Sequence, residues 1–271
     1  MYDFDKTLCT RDMQEYTFIP DLKITPHDFW QEAAALSQQD KMDRILAYMY
    51  LMIEKAKAAH QPIHRKNFVK LGKDIEFFTG VTSWFDRINQ YGIKQGVKIE
   101  HYIISSGLKE IIEGSEIKKH FKEIYASAFH YDVNGAADWP LLSINYTAKT
   151  QFLFRINKGV LDISNDNDLN KYVKDDDRRI PFRNMIYIGD GLTDVPCMKL
   201  VKINGGNSIA VYTKKPKVKD LLLNDRVNYI TQADYCEGGE LDRIVKKIVD
   251  KIVVVDELLD INNNQVKKLN R

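Results

Sequence analysis

The sequence predicts an α/β fold in which a parallel β-sheet is covered by helices and a separate helical segment is inserted near the N-terminus. Two observations lead to this prediction. From residue 84 onward, short apolar runs alternate with helical patterns, as in βαβ units. Residues 21–83 contain helical patterns without a clearly alternating strand. A chain of 271 residues is long enough for one large core plus such an insert.

The helical segment has its own start signals. The string Thr25–Asp28 offers an N-cap threonine, a proline at the first helical position and an acid three residues after the cap. Asp40 is the expected cap of the next helix, in which apolar residues recur at helical spacing from Ile45 to Ile53. A shorter helix is expected at 67–71.

The elements of the core follow in order after Gly80. The patterns predict a helix capped by Thr82 and ended by Gly92, a strand at 99–104, a short helix after Gly107, and a strand at 124–131 followed by an Asn-Gly turn. They then predict a helix at 147–157 stopped by Gly159, a polar surface excursion at 162–180, a strand at 185–188, a helix at 195–201, a strand at 208–212 and a long helix after Gly238.

Composition excludes several classes of protein. The chain has 40 Lys and Arg against 38 Asp and Glu, and this near balance gives no overall attraction to nucleic acid or to membranes. The three cysteines, Cys9, Cys197 and Cys236, have neither disulfide-framework nor zinc-site spacing. No apolar run is long enough to span a bilayer, and no signal peptide is visible. We expect a soluble, cytoplasmic protein with no obligate protein partner.

Three predicted strands end in small or acidic residues. The strings are Asp3-Phe4-Asp5, Ser105-Ser106-Gly107 and Gly189-Asp190-Gly191. Because ligands collect at the carboxyl ends of parallel strands, we expect these residues, together with Asp194, to meet at one edge of the sheet.

Such a meeting of carboxylates requires a cation. Two carboxylates at ~4 Å repel each other by roughly 4 kcal/mol at an effective dielectric constant of about 20. Oxygen ligands without Cys or His favour a hard ion, and Mg²⁺ is the expected cofactor. A metal in turn attracts phosphate, for which Ser105 and the backbone N–H groups of Ser106 and Gly107 are the expected donors.

A positive side chain is also expected beside the phosphate. Lys149 lies in the first turn of the predicted helix at 147–157, from which its ammonium group can reach the strand ends. Lys158 lies at the opposite end of that helix, where it complements the helix dipole instead. We therefore favour Lys149.

These residues resemble the four motifs of the haloacid dehalogenase superfamily. The matching residues are Asp3-x-Asp5-x-Thr7, Ser105 at a strand end, Lys149, and Gly189-Asp190-Gly191-x-x-Asp194. The resemblance implies a three-layer, Rossmann-like core made of residues 1–20 and 84–271. It also implies that residues 21–83 form a helical cap, inserted as in phosphoserine phosphatase-like members, which closes over the site.

The resemblance also implies roles for the acidic residues. Asp3 would be the nucleophile that forms an aspartyl-phosphate. Asp5 would act as general acid and base and give its backbone carbonyl to Mg²⁺. Asp190 would be a metal ligand, directly or through water. Asp194 would orient Asp190 or the metal-bound waters.

The remaining motif residues would support the phosphate and the loop. Ser105 and Lys149 would hold phosphate oxygens and offset charge in the transition state, and Ser106 can exchange roles with Ser105. Gly107 would contribute its backbone N–H. Thr7 would steady the loop of the first motif.

The second aspartate separates the subclasses. Superfamily members that cleave carbon–halogen bonds lack a carboxylate at this position, since a departing halide needs no proton, so Asp5 favours phosphoryl transfer. The expected function is Mg²⁺-dependent hydrolysis of a small phosphorylated metabolite. A phosphotransferase or mutase, and a catalytically silent protein that binds phosphometabolites, remain as alternatives.

The first strand is unusually short. A nucleophile of this kind normally follows about five apolar residues of a buried strand, and here only Met1 and Tyr2 precede Asp3. We expect a slot in the sheet, an α-amino group close to Asp3, and a natural chain that starts further upstream.

Overall fold

A parallel β-sheet lies at the centre of the protein. The computed structural model describes residues 1–61, 63–214 and 216–269. Within them the strands are β1 (His101–Leu108), β2 (Phe121–Tyr131), β3 (Ala137–Leu142), β4 (Ile186–Gly189), β5 (Asn207–Tyr212) and β6 (Tyr229–Gln232). β1 pairs with β2, β4 with β5, and β5 with β6, all in parallel. This confirms the predicted fold class.

The N-terminal segment joins the two halves of this sheet. Tyr2 bridges β1 and β4 in parallel. Its N–H donates to the Tyr102 carbonyl at 2.9 Å, and its carbonyl accepts from the Ile104 N–H at 2.8 Å. On the other side, the Asp3 N–H donates to the Ile188 carbonyl at 2.9 Å. The segment is therefore the central strand, and it places Asp3 at the carboxyl edge.

A cavity of about 310 Å³ lies beside the start of this segment. Met1, Ile99, His101 and Ile186 are among the residues that line it. The α-amino group of Met1 donates to the Ile186 carbonyl at 2.7 Å, and burial lowers its pKa to about 5. The cavity thus lies beside the start of both β1 and β4, and the expected slot of one missing strand stays a prediction.

Helices cover both faces of the sheet. They are α1 (Phe18–Asp21), α2 (Pro26–Asp40), α3 (Arg44–Ala58), α4 (Arg65–Leu71), α5 (Val81–Lys94), α6 (Lys109–Glu113), α7 (Lys149–Lys158), α8 (Asp166–Asn170), α9 (Val195–Ile203), α10 (Pro216–Leu223) and α11 (Glu240–Leu269). α7, α9 and α10 pack against Tyr102 and Ile104, whereas α5 and α11 share the opposite core with Ile103. Neighbouring residues of β1 are thus buried on opposite faces, which gives three layers.

The helical segment begins as expected but continues differently. The Thr25 side chain accepts from the Asp28 N–H, which confirms the predicted cap of α2. The predicted cap of the next helix, Asp40, is wrong: α2 runs to Asp40, and the Asp43 carboxylate accepts from the N–H groups of Ile45 and Leu46 at the start of α3. The sequence offers both aspartates before the same apolar stripe, and only the turn after α2 decides between them.

The two connections between this segment and the core run side by side. The Thr10 N–H donates to the Glu76 carbonyl at 3.0 Å, and the Phe78 N–H donates to the Leu8 carbonyl at 3.0 Å. α4 packs against α6 of the core. The division into a cap at 21–83 and a core elsewhere stays a prediction.

One part of the sheet departs from the parallel pattern. β2 turns at Asp132–Gly135 into β3, which pairs with it antiparallel and forms a hairpin. Gly135 has a φ of 79°, which fits the predicted Asn-Gly turn. The predicted polar excursion contains a short helix, α8. Within the described ranges, no helix combines the length and apolarity that crossing a bilayer requires.

Candidate active site

The strand ends gather around one cavity of about 540 Å³. Asp3 and Asp5 follow Tyr2 of the central segment, Ser106 lies near the end of β1, and Asp190 follows β4, and all four line this cavity. The remaining walls come from the helical segment and nearby loops: Lys6, Asp12, Glu15, Trp30, Ala33, Ala34, Arg44, Ile45, Tyr48, Tyr146, Gly191, Leu192 and Thr193. The predicted meeting of the strand ends is therefore present.

Asp3 is held by a buried lysine. Its Oδ1 accepts from the Phe4 N–H at 2.8 Å and lies 3.0 Å from the Nζ of Lys149. Lys149 is fully buried at the start of α7 and also contacts Asp194 Oδ1 at 2.7 Å. Burial opposes the charge of Lys149, but Asp194 and Asp3 together raise its pKa above the ordinary value. The ammonium group thus ties Asp3 to the β4–α9 loop.

The oxygen atoms of three carboxylates lie close enough to share a cation. One oxygen each from Asp3, Asp190 and Asp194 lies within 4.8 Å of the others. Burial, together with the neighbouring Asp194 charge, raises the pKa of both Asp3 and Asp190 to about 7. An all-oxygen set with crowded negative charge fits a hard dication such as Mg²⁺. The set contains the predicted ligands Asp3 and Asp190 and adds Asp194; the expected contribution of the Asp5 carbonyl stays a prediction.

Asp5 is fixed by the backbone of the segment that follows it. The Met13 N–H donates to Asp5 Oδ1 at 2.8 Å. Burial is the main cause of a pKa well above the ordinary value for this carboxyl, and Asp12 and Asp3 raise it further. Gly107 packs against it closely, since a Cβ there would lie 2.7 Å from Asp5 Oδ2. The site therefore holds Asp5 in one place and favours its protonated form.

The predicted phosphate donors lie within the last residues of β1, in different environments. Ser105 is fully buried, and its Oγ accepts from the Gly107 N–H at 3.0 Å, which commits that N–H to the protein; the role of Ser105 toward phosphate stays a prediction. Ser106 lines the cavity instead, and its buried Oγ has no hydrogen-bond partner among the described residues. The cause is strand alternation with an irregularity in pairing after Ser105, which sends the two serines in different directions.

Lys158 and Thr7 lie apart from the ligand positions. Lys158 Nζ donates to the backbone carbonyls of Leu169 and Lys171, which agrees with favouring Lys149. The Thr7 Oγ1 is buried without a hydrogen-bond partner in the described chain. The Thr7 carbonyl accepts from the Tyr235 hydroxyl at 2.8 Å, so this loop is anchored through its backbone. The role of the Thr7 side chain stays a prediction.

Sequence reasoning missed three supporting residues. The Tyr187 hydroxyl donates to Asp194 Oδ1 at 2.9 Å, the Met13 backbone binds Asp5, and the Tyr48 hydroxyl donates to the Ser106 carbonyl at 2.6 Å. Only Tyr187 has a sequence signal, because it lies two residues before Gly189 in a predicted strand. The Tyr48 contact depends on how the helical segment packs on the core, and the Met13 contact depends on how the chain turns after Asp5.

The family-model comparison matches residues 1–199 to the haloacid dehalogenase-like hydrolases. An uncharacterized protein of Borreliella burgdorferi is 26% identical over 277 residues, which cover 92% of this chain and 95% of the relative.

Solved structures give the same fold. A HAD family hydrolase from Salmonella enterica serovar Typhi aligns with a TM-score of 0.56 at 15% identity, covering 91% of this chain and 69% of that one. A substrate-bound phosphoserine phosphatase aligns with a TM-score of 0.54 at 14% identity, covering 91% and 95%. The matched family model spans most of the chain and includes the central segment, β1, Lys149 and the acidic loop after β4. The chain therefore belongs to the haloacid dehalogenase-like hydrolase family.

Proposed function

We propose that this hydrolase is a Mg²⁺-dependent phosphatase that cleaves a small phosphomonoester through an aspartyl-phosphate on Asp3. The observation that supports the proposal is that Asp3 and Asp5 line the same cavity in different electrostatic environments. Burial raises the pKa of both carboxyl groups, but the buried Lys149 opposes this rise at Asp3, whereas the Asp12 and Asp3 charges add to it at Asp5. Covalent catalysis followed by proton transfer needs these two different environments.

In the first step, Asp3 attacks phosphorus. The described hydrogen bond and ion pair of its carboxylate use Oδ1, which leaves Oδ2 as the attacking atom. A bond forms between Oδ2 and phosphorus, and the bond from phosphorus to the leaving oxygen breaks. Protonated Asp5 gives its proton to that oxygen, so an alcohol departs.

In the second step, water releases the phosphate. Asp5, now ionised, accepts a proton from a water molecule whose oxygen attacks phosphorus. The bond between phosphorus and Asp3 breaks, which frees inorganic phosphate and restores both carboxyl groups. The Ser106 hydroxyl and the Lys149 ammonium supply donors toward phosphate oxygens, since both lie at this end of the site.

Asp3 and Asp190 are the proposed metal ligands, with Asp194 beside them. When bound, Mg²⁺ supplies positive charge that offsets the carboxylates and the phosphate. The helices at 21–83 are the proposed cap, because α2 and α3 contribute one wall of the cavity. A wall of this kind excludes bulk water during the reaction.

The test is hydrolysis of 4-nitrophenyl phosphate with Mg²⁺ by the wild type, Asp3→Asn and Asp21→Asn. Asp21 is an exposed control at the end of α1. Wild type and control are expected to release 4-nitrophenol, and Asp3→Asn to lose at least ~1,000-fold in kcat/KM while it keeps its circular dichroism spectrum. Normal turnover by Asp3→Asn would refute the nucleophile. Transfer of the phosphoryl group to an added acceptor alcohol would identify a phosphotransferase. Absence of turnover by the wild type would indicate a catalytically silent binding protein.

A further inference from the structure

The part of the cavity wall formed by the helical segment is aromatic. Trp30 of α2 and Tyr48 of α3 line it, with ring centroids 5.8 Å apart and planes at 74°. Tyr146, from the loop before α7, lies on the same cavity. Two perpendicular rings and a third nearby form a corner that suits a flat ring better than a flexible aliphatic chain.

The polar atoms of the first two rings are already occupied. The Trp30 indole N–H donates to Glu15 Oε1 at 2.7 Å, and the Tyr48 hydroxyl donates to the Ser106 carbonyl at 2.6 Å. Both rings are therefore held in position. Tyr48 is only 5% exposed, so the ring surface offered to a ligand comes mainly from the half-buried Trp30. The neighbouring Ala33 and Ala34 have small side chains, which keep this end of the cavity open.

Among the described charged residues near Trp30, Arg44 is the cation that could bind an anionic group of a ligand. Lys6 forms an ion pair with Asp12, and Glu15 accepts from Trp30. Arg44 lies one helical turn before Tyr48 and also lines the cavity, but it takes part in no ion pair or side-chain hydrogen bond with another described residue. Arg44 is exposed, and its guanidinium group is open to an anionic group of the ligand.

We propose that the leaving group of the substrate is a flat aromatic or heteroaromatic alcohol that carries an anionic group, with its ring against Trp30 and Tyr48 and its anion at Arg44. The proposal rests on the proposed phosphatase function. A cavity of about 540 Å³ has room for such a ring beyond the phosphate, whereas a small aliphatic phosphate leaves much of the aromatic wall uncovered.

The first experiment compares substrates with similar alkyl leaving oxygens: benzyl phosphate, cyclohexylmethyl phosphate, 4-carboxybenzyl phosphate and O-phosphoserine. We expect kcat/KM to be highest for 4-carboxybenzyl phosphate. Benzyl should exceed cyclohexylmethyl phosphate by about fivefold, the order of one aromatic contact. In Trp30→Leu this ratio should fall toward one. Binding of non-hydrolysable benzylphosphonate, measured by calorimetry, should weaken in parallel.

The second experiment isolates the cation. Arg44→Gln is compared with Lys57→Gln, which removes the same charge from an exposed position of α3. Arg44→Gln should lower kcat/KM for 4-carboxybenzyl phosphate by about fivefold and leave benzyl phosphate within twofold. Lys57→Gln should change neither value.

The outcomes separate the two proposals. If O-phosphoserine or cyclohexylmethyl phosphate is the better substrate, or if Arg44→Gln affects the neutral and anionic benzyl esters equally, the aromatic substrate class is wrong and the phosphatase stands. If the wild type hydrolyses no phosphomonoester of either series with Mg²⁺ present, the phosphatase itself is wrong, and the substrate class falls with it.

Discussion

Ser105 and Ser106 are adjacent and chemically identical, yet the fold gives them different environments. Ser105 accepts from the N–H of Gly107 inside the protein, whereas Ser106 lines the cavity that contains Asp3, and its buried Oγ has no hydrogen-bond partner among the described residues. A donor that is already positioned costs little reorganisation when charge develops on a phosphate oxygen. The difference arises from the direction of each side chain along β1 and leaves no trace in the residue types.

The first prediction concerns this pair. Ser106→Ala should lower kcat/KM for an aryl phosphate by roughly 10–100-fold with little change in stability, because it removes one donor to the phosphate. Ser105→Ala should instead lower the free energy of unfolding by about 1–2 kcal/mol, because it leaves the Gly107 N–H buried without a partner. Steady-state kinetics and urea unfolding of both variants test this. A larger loss of activity in Ser105→Ala than in Ser106→Ala would identify Ser105 as the main phosphate donor.

Individual residues also set the limit of what the sequence can predict. Asp3, Asp190 and Lys149 were predictable because each follows an element boundary that glycine or apolar patterns mark. The sequence leaves open whether Ser105 or Ser106 faces a ligand, because strand alternation gives no absolute register until a neighbouring strand is paired. Met13 and Tyr48 were missed because their contacts to Asp5 and Ser106 join parts of the chain whose packing has no sequence pattern.

At the scale of elements, the start of α3 links the helical segment to the core. Asp43 accepts from two N–H groups of α3, and its other oxygen accepts from the Asn145 side chain at 3.0 Å. Asn145 lies just before Tyr146 and α7. One carboxylate therefore both begins the helix and connects it to the loop on the far side of the cavity.

The second prediction compares the observed cap with the one that the sequence suggested. Asp43→Ala should reduce the free energy of unfolding by about 1–2 kcal/mol, since it removes a helix cap and the link to Asn145. Asp40→Ala, at the exposed end of α2, should change it by less than about 0.5 kcal/mol. Thermal and urea unfolding measure both. Equal losses of unfolding free energy in the two variants would contradict the assignment of Asp43 as the cap residue of α3.

The alternation of elements was the most predictable level of the structure. The helices after Thr25 and before Gly159, and the apolar parts of the strands that contain Ser105 and Gly189, follow from period and breaker residues. The antiparallel β3 was not predicted, because Ala137–Leu142 includes a tryptophan and a proline that gave no clear alternation. Its pairing with β2 depends on the hairpin turn.

The third prediction concerns how buried His101 makes the stability of the fold depend on pH. The Trp84 indole N–H donates to the Tyr2 hydroxyl at 2.9 Å, and the ring nitrogens of His101 lie 3.1 Å from that hydroxyl and 3.0 Å from Asn89 Oδ1. A neutral His101 satisfies this chain of hydrogen bonds. Burial, with smaller contributions from the Met1 ammonium and His120, lowers the pKa of His101 to about 3.

The sign of the effect follows from linkage. The unfolded chain binds a proton at His101 below about pH 6.5, and the folded protein does so only near pH 3, so this residue destabilises the fold as pH falls between those values. Between pH 7.5 and 5 the loss is about 2 kcal/mol. His101→Gln should show a smaller loss over this range than wild type, and His130→Gln, at an exposed histidine, should match wild type. Identical pH profiles for all three proteins would contradict the prediction.

At the scale of the whole molecule, the acidic edge of the sheet works against stability unless a cation is present. Asp3 and Asp190 meet near Asp194, and Lys149 is the cation that contacts both Asp3 and Asp194. Because the pKa of Asp190 is raised to about 7, the stability associated with this group is present below its unfolded pKa and is lost as pH rises to that value. Above pH 7 the Asp190 carboxylate is ionised in both states, but its charge is unfavourable only in the folded protein, where other carboxylates are close.

The fourth prediction is that Asp190→Asn stabilises the metal-free protein but reduces the stabilisation that Mg²⁺ provides. At pH 8 in EDTA, Asp190→Asn should raise Tm by about 3 °C or more, since 1 kcal/mol moves the Tm of a domain of this size by ~2–4 °C. Adding Mg²⁺ should raise the Tm of wild type, because the ion binds only the folded state, and should raise that of Asp190→Asn much less. Differential scanning calorimetry over a Mg²⁺ series measures all four values, and Ca²⁺ is the control for ion size. If Mg²⁺ stabilises both proteins equally, the ion binds elsewhere, and the carboxylates at this edge need another explanation.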